Sequence, residues 1–252
     1  MPNYIPLANS LAGRTILVTG AGDGIGRAAA LSFATHGAAV ILLDRTQTKL
    51  EQVYDEIEHR GFPQAAILTL DLAVATPAQY ELAAQTVEKD FGRLDGLLHN
   101  AAECGTLTPL ALYQPEMWYR IMQVNLHAAW LLTRACLPLL KKSTDASIVF
   151  TTADVGRRGR AYWGAYGVAN FGLEGLMQTL AAELATEGRI RVNSLDPGAV
   201  RTRMRAHAYP GEDPATLPRP EDIMSVYLYL LGADSRGING QALSAQNFAE
   251  NS

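Results

Sequence analysis

The chain is poor in cysteine, modest in charge and without any long apolar run. Two cysteines in 252 residues, Cys104 and Cys136, cannot build a disulfide framework, and no Cys/His spacing resembles a zinc site. Both read as small buried hydrophobes. Charged residues make up 18% and hydrophobic residues 48%, a globular balance without the apolar depletion that marks disorder. Basic charge is not in excess, and a net charge of −4 argues against a nucleic-acid partner. The longest apolar segment, Leu126 to Leu140, carries His127, Arg134 and Pro138, so no membrane span is expected. Met1 to Ala12 lack the basic start and apolar core of a signal peptide, and a cytoplasmic protein is the expectation. No internal repeat and no Pro-, Gly- or Ser-rich linker divides the chain, which is read as a single domain over residues 1–252.

What the chain does have is a glycine turn near its start. The apolar run Thr15-Ile16-Leu17-Val18 leads into Thr19-Gly20-Ala21-Gly22-Asp23-Gly24-Ile25-Gly26 and then Arg27 to Ala34, the pattern of a strand, a tight turn and a helix. Such a turn presents backbone N–H groups and a positive helix end to a phosphate, and its glycines allow close approach. Further continuous apolar runs follow at Val40 to Leu43, Ala66 to Leu70, Leu94 to Leu98, Ser147 to Phe150 and Ile190 to Leu195. Amphipathic segments such as Thr48 to Arg60 and Pro77 to Phe91 lie between them. Alternation of this kind predicts an α/β fold, a doubly wound parallel sheet flanked by helices. Pro115 to Leu140 reads as one long helical segment, and Tyr209 to Pro220 as a loop beside the ligand crevice, placed to act as a lid.

The turn has the spacing T-G-x-x-x-G-I-G, which resembles the short-chain dehydrogenase/reductase superfamily. Asp71-Leu72, Asn100-Ala101 within Leu97-Leu98-His99-Asn100-Ala101-Ala102, Val124-Asn125, Tyr166, and Pro197-Gly198-Ala199-Val200-Arg201-Thr202 match further motifs of that family in order along nearly the whole chain. His99 and Ala102 depart from the Asn-Asn-Ala-Gly pattern, and His99 is read as a packed histidine. The Arg-rich stretches around Arg157 and Arg203 look most like a bacterial subgroup of oxidoreductases whose substrate is unassigned. The resemblance implies a Rossmann-type fold, a nicotinamide dinucleotide, hydride exchange with a carbonyl or secondary alcohol, a small-molecule substrate, and assembly as a homodimer or homotetramer. It implies cofactor contacts from Gly20, Gly24, Ile25, Gly26, Asp71, Leu72, Asn100, Ala101, Pro197, Gly198, Val200 and Thr202. Asp44, at the end of the second strand, stands where a carboxylate can accept from the adenosine ribose hydroxyls. Asp23 stands where related NADP enzymes often carry a basic residue. Both favour NAD, while Arg45 could hold a 2′-phosphate and keeps NADP as the alternative.

In the family a serine precedes the catalytic tyrosine by thirteen residues and a lysine follows it by four; here those places hold Ala153, Tyr166 and Asn170. The family's set also includes an asparagine that holds a water in the proton relay, matched by Asn125. A cation about 4 Å from a phenol is worth on the order of 4 kcal/mol at an effective dielectric near 20, or roughly three pKa units. Asn170 can bond a ribose hydroxyl but brings no charge. Attenuated hydride transfer is therefore one expectation, and a nucleotide-binding protein without turnover is the other. Thr152 could replace the missing serine if a bulge turned it inward. Arg157, Arg158, Arg160, Arg201, Arg203 and Arg205 border the substrate side, either as holders of an anionic substrate or as ion pairs.

Overall fold

In the computed structural model, which describes residues 4–246, the six apolar runs become strands and a seventh forms near the end of the chain. These are β1 (Thr15–Thr19), β2 (Ala39–Asp44), β3 (Ala66–Thr69), β4 (Gly96–His99), β5 (Ala146–Thr151), β6 (Ile190–Asp196) and β7 (Ala242–Ser244). They form one sheet in the order β3-β2-β1-β4-β5-β6-β7, every neighbouring pair parallel. The helices are α1 (Gly24–Thr35), α2 (Gln47–His59), α3 (Pro77–Phe91), α4 (Pro115–Met122), α5 (Ala128–Lys141), α6 (Gly164–Leu184), α7 (Arg203–Ala208) and α8 (Met224–Leu231). Successive side chains of a strand point to opposite faces, so Ile16 and Val18 join α1, α2 and α8 in one core while Leu17 joins α3, α5 and α6 in the other. Covering on both faces is why these strands are apolar without alternation.

Strand order reverses at β1, which pairs with β2 on one side and β4 on the other. In open parallel sheets that reversal leaves a crevice at the carboxyl ends of the strands, and the chain's motifs gather there. The long helix expected over Pro115 to Leu140 is interrupted: Gln123–His127 form a π-helical turn between α4 and α5, a feature that re-aims side chains at functional sites. The 3₁₀ turn at Pro214–Thr216 lies in the stretch read as a lid, and a second, Pro220–Ile223, begins at its end. Among the described residues no helix is long and apolar enough to cross a membrane.

Candidate active site

The crevice is a cleft of about 610 Å³ running from the glycine turn to the lid segment. Gly20 has φ 68°, and a Cβ there would lie 3.0 Å from the Ala101 Cα; a Cβ on Gly26 would lie 2.1 Å from the Gly20 carbonyl oxygen. Only glycine lets the turn fold this tightly against β4 and the start of α1. Thr19 fixes the same corner, its hydroxyl oxygen accepting from the Asn100 and Ala101 N–H groups at 2.9 and 3.0 Å. Asp23 caps α1 by accepting from Gly24 N at 2.8 Å. This cradle of bare backbone at a helix N-terminus suits a pyrophosphate, and Gly20, Gly24, Ile25, Asn100 and Ala101 all line the cleft. Gly26 lies beneath the turn rather than on its surface.

At the end of the cleft beside β2 the carboxylates are not free. Asp23 accepts from Lys49 Nζ at 2.8 Å and pairs with Arg203. Burial opposes ionisation there, yet Lys49, the Gly24 N–H and Arg203 hold the carboxyl below its ordinary value. Asp44 accepts from Thr46 N at 3.0 Å, and Arg45 donates to Glu103 at 2.5 Å, which also receives a bidentate pair from Arg120 at 2.7 Å. The position where related NADP enzymes often carry a basic residue thus holds an Asp23 carboxylate that Lys49 and Arg203 neutralise. Asp71 and Leu72 line the same wall. Asp71 accepts from Ala73 N at 3.0 Å. On the far side Pro197, Gly198, Val200 and Thr202 line the cleft; the Thr202 hydroxyl caps α7 by accepting from Arg205 N at 3.1 Å.

Tyr166, on the first turn of α6, faces the cleft half-buried. Burial pushes its phenol well above the ordinary tyrosine range, and Cys104, Asp196 and Asp154 push further; contact with the Asn170 amide offsets this only in part. Asn170 is buried and donates to the Tyr166 carbonyl oxygen at 2.9 Å. Ala153 lines the cleft without an oxygen to offer. Thr152 borders the cleft but does not replace it: its hydroxyl is buried and committed to Glu174 on α6, to which it donates at 2.8 Å. The Asn125 amide, in the π turn, is held by the Glu103 backbone, accepting from its N–H and donating to its carbonyl, both at 2.9 Å. That side chain therefore fixes the loop after β4. His99 is buried, stacked on Phe150 at 4.8 Å and 2.8 Å from the Thr133 hydroxyl, and burial pushes its pKa down to about 3. It is the packed neutral histidine expected.

A model of the short chain dehydrogenase family matches residues 14–213. The chain belongs to that family. Uncharacterized oxidoreductase YciK of Escherichia coli K12 is 48% identical to this short-chain dehydrogenase over 244 residues, which cover 97% of this chain and 96% of that one. A solved structure from Pseudomonas syringae is 57% identical with a TM-score of 0.96, covering 98% of this chain and all 100% of its own. A structure from Escherichia coli CFT073, complexed with NADPH, is 49% identical with a TM-score of 0.91, covering 96% of this chain and 100% of its own.

In this short-chain dehydrogenase five of the six arginines singled out in the sequence have partners. Arg157 donates to Glu174 at 2.9 Å and to the Leu243 carbonyl at 2.8 Å. Arg160 pairs with Asp154, Arg203 with Asp23, and Arg205 bidentately with Glu212 at 2.6 and 2.7 Å. Arg201 reaches the Leu217 carbonyl at 3.3 Å. Sequence reading weighed ion pairs against an anion site for this set, and carboxylate pairs form at Arg157, Arg160, Arg203 and Arg205. It missed Lys49, Glu103 and Glu174, whose partners lie far away in sequence. Trp163, which no motif singles out, also lines the cleft.

Proposed function

We propose that this chain is an NADPH-dependent carbonyl reductase of attenuated rate, with Tyr166 as its proton donor. The observation that carries the reading is Tyr166 itself, a protonated phenol opening into the cleft beside the segments that fit a dinucleotide. Bound there, the dinucleotide supplies the hydride. Gly20, Gly24 and Ile25 would cradle its pyrophosphate. Ala101 and Leu72 would border the adenine, and Val200 and Thr202 the nicotinamide end. NADPH rather than NADH is supported by the NADPH complex of the Escherichia coli CFT073 relative. It is supported also by Lys49 and Arg203, which pair with Asp23 at the cleft rim, and by Arg45 next to Asp44. Asp44 is the group that opposes a 2′-phosphate.

Tyr166 holds its proton on Oη and can donate it to a substrate oxygen. The reverse reaction needs the phenolate, which burial and the nearby carboxylates disfavour. With alanine at 153 the substrate oxygen gains no second hydrogen bond, a loss of about 10² to 10³ in rate. Turnover of a ketone panel with NADPH tests the reading: Tyr166→Phe should bring the rate to background, and Asn170→Lys should raise alcohol oxidation at pH 8 by tenfold or more. An unchanged rate in Tyr166→Phe would refute the role given to the phenol.

A second reading, a nucleotide-binding protein without hydride transfer, is favoured by the Asn170 amide, bonded to the helix backbone. It expects NADPH to bind the wild type and Tyr166→Phe alike, with no turnover in either.

A further inference from the structure

We propose that the substrate half of the cleft takes a neutral carbonyl compound bearing an apolar ring beside the carbonyl. This rests on the carbonyl-reductase reading and deepens it. The wall leading outward from the Tyr166 phenol is a run of aromatic faces. Trp163 packs on Tyr166 with ring centroids 5.5 Å apart, and Tyr209 packs on Trp163 at 6.1 Å. Met204, Ala199 and Ala208 continue it, while Cys104 and Ala153 add no charge beneath. Rings pack on such faces in offset or tilted geometry and gain beyond simple area burial.

The wall is built before anything binds. The Arg205 guanidinium lies 3.7 Å from the Tyr209 ring centroid while held by Glu212, and Arg160 donates to the Tyr209 hydroxyl at 3.4 Å. On the other side the backbone itself is bent to aim Trp163. Tyr162 has φ 74° and Gly164 φ 26°, and a Cβ at Gly164 would lie 2.5 Å from the Tyr113 ring. A bulky residue at positive φ is costly, and it persists where surrounding structure fixes a functional side chain.

Charge selects against anions. Arg160, Arg203 and Arg205, which line this half, are each paired with a carboxylate, so none of the three offers a free fork to a substrate carboxylate or phosphate. Asp154, paired with Arg160, and Asp196, which accepts from Gly198 N at 2.8 Å, also line this half. An anionic substrate would meet the Asp196 carboxylate and lose water without compensation.

Calorimetric titration of the protein, with and without NADP⁺, using 2-tetralone and a carboxylate-bearing tetralone tests this. The neutral ketone should bind at least tenfold more tightly than the carboxylate. Trp163→Ala and Tyr209→Ala should each weaken it tenfold, and Trp163→Phe should stay within threefold of wild type. A cooperative thermal transition in each variant establishes that it is folded. Tighter or equal binding of the carboxylate would overturn the inference, as would unchanged ketone affinity in both alanine variants, or no measurable binding of 2-tetralone, cyclohexanone or acetophenone. Failure of NADP⁺ to bind would count against the reductase reading alone, since the ketone affinities are read in its absence as well.

Discussion

Tyr166 has Asn170 where the family resemblance implies a lysine, and its phenol is raised by burial and by Cys104, Asp196 and Asp154. Its place was legible from the sequence, because four-residue spacing to Asn170 puts both on one helix face. What the Asn170 amide bonds to was not, since that depends on how α6 meets the loop at Gly156, where a Cβ would lie 2.6 Å from the Asn170 Cβ. His99 makes the residue-scale argument testable through stability. Its folded pKa is about 3, against an ordinary 6.5, so the unfolded chain binds a proton that the folded chain refuses between those two values. Stability from this group is fully present above pH 6.5 and falls as pH drops toward 3, by about 2 kcal/mol at pH 5. Urea unfolding at pH 7.5 and pH 5 should therefore show a loss in the wild type that is about 2 kcal/mol larger than in His99→Phe. Equal losses would mean that His99 is protonated in the folded state.

At the scale of elements, the strands and most helices were legible because each apolar run is long enough to fill one buried strand. The π turn at Gln123–His127 was not, since it looks like ordinary helix in sequence and is recognised by backbone pairing. Nor was the clasp between α6, β5 and β6, which depends on Glu174. This buried carboxylate accepts from Thr152 at 2.8 Å, Arg157 at 2.9 Å and Ser194 at 2.6 Å. It fastens the helix carrying Tyr166 to the strand ends that frame the cleft. Removing one member of a buried charged set strands the others, at about 3–5 kcal/mol, whereas deleting one neutral donor costs about 1 kcal/mol. Glu174→Ala should lose that larger amount in urea unfolding, and Thr152→Val the smaller. A Glu174→Ala loss below 1 kcal/mol would mean that the clasp is not holding these elements.

For the molecule as a whole, the cleft draws on segments from residue 19 to residue 246, so one extended ligand touches both halves of the sheet. A dinucleotide spanning them binds only the folded chain, and at a hundredfold excess over its Kd it stabilises by about 2.7 kcal/mol. For a domain of this size that corresponds to roughly 5–10 °C in Tm. Cofactor choice enters through the balance of charge at one end. Lys49 and Arg203 neutralise Asp23, and Arg45 is shared with Glu103, leaving Asp44 as the group that repels a 2′-phosphate. If the cations dominate, NADPH at equal concentration should raise Tm more than NADH, and raising salt from 50 to 500 mM should narrow the difference because the pairs are partly exposed. A larger shift with NADH at both salt concentrations would mean that Asp44, bonded to ribose hydroxyls, outweighs the three cations around it.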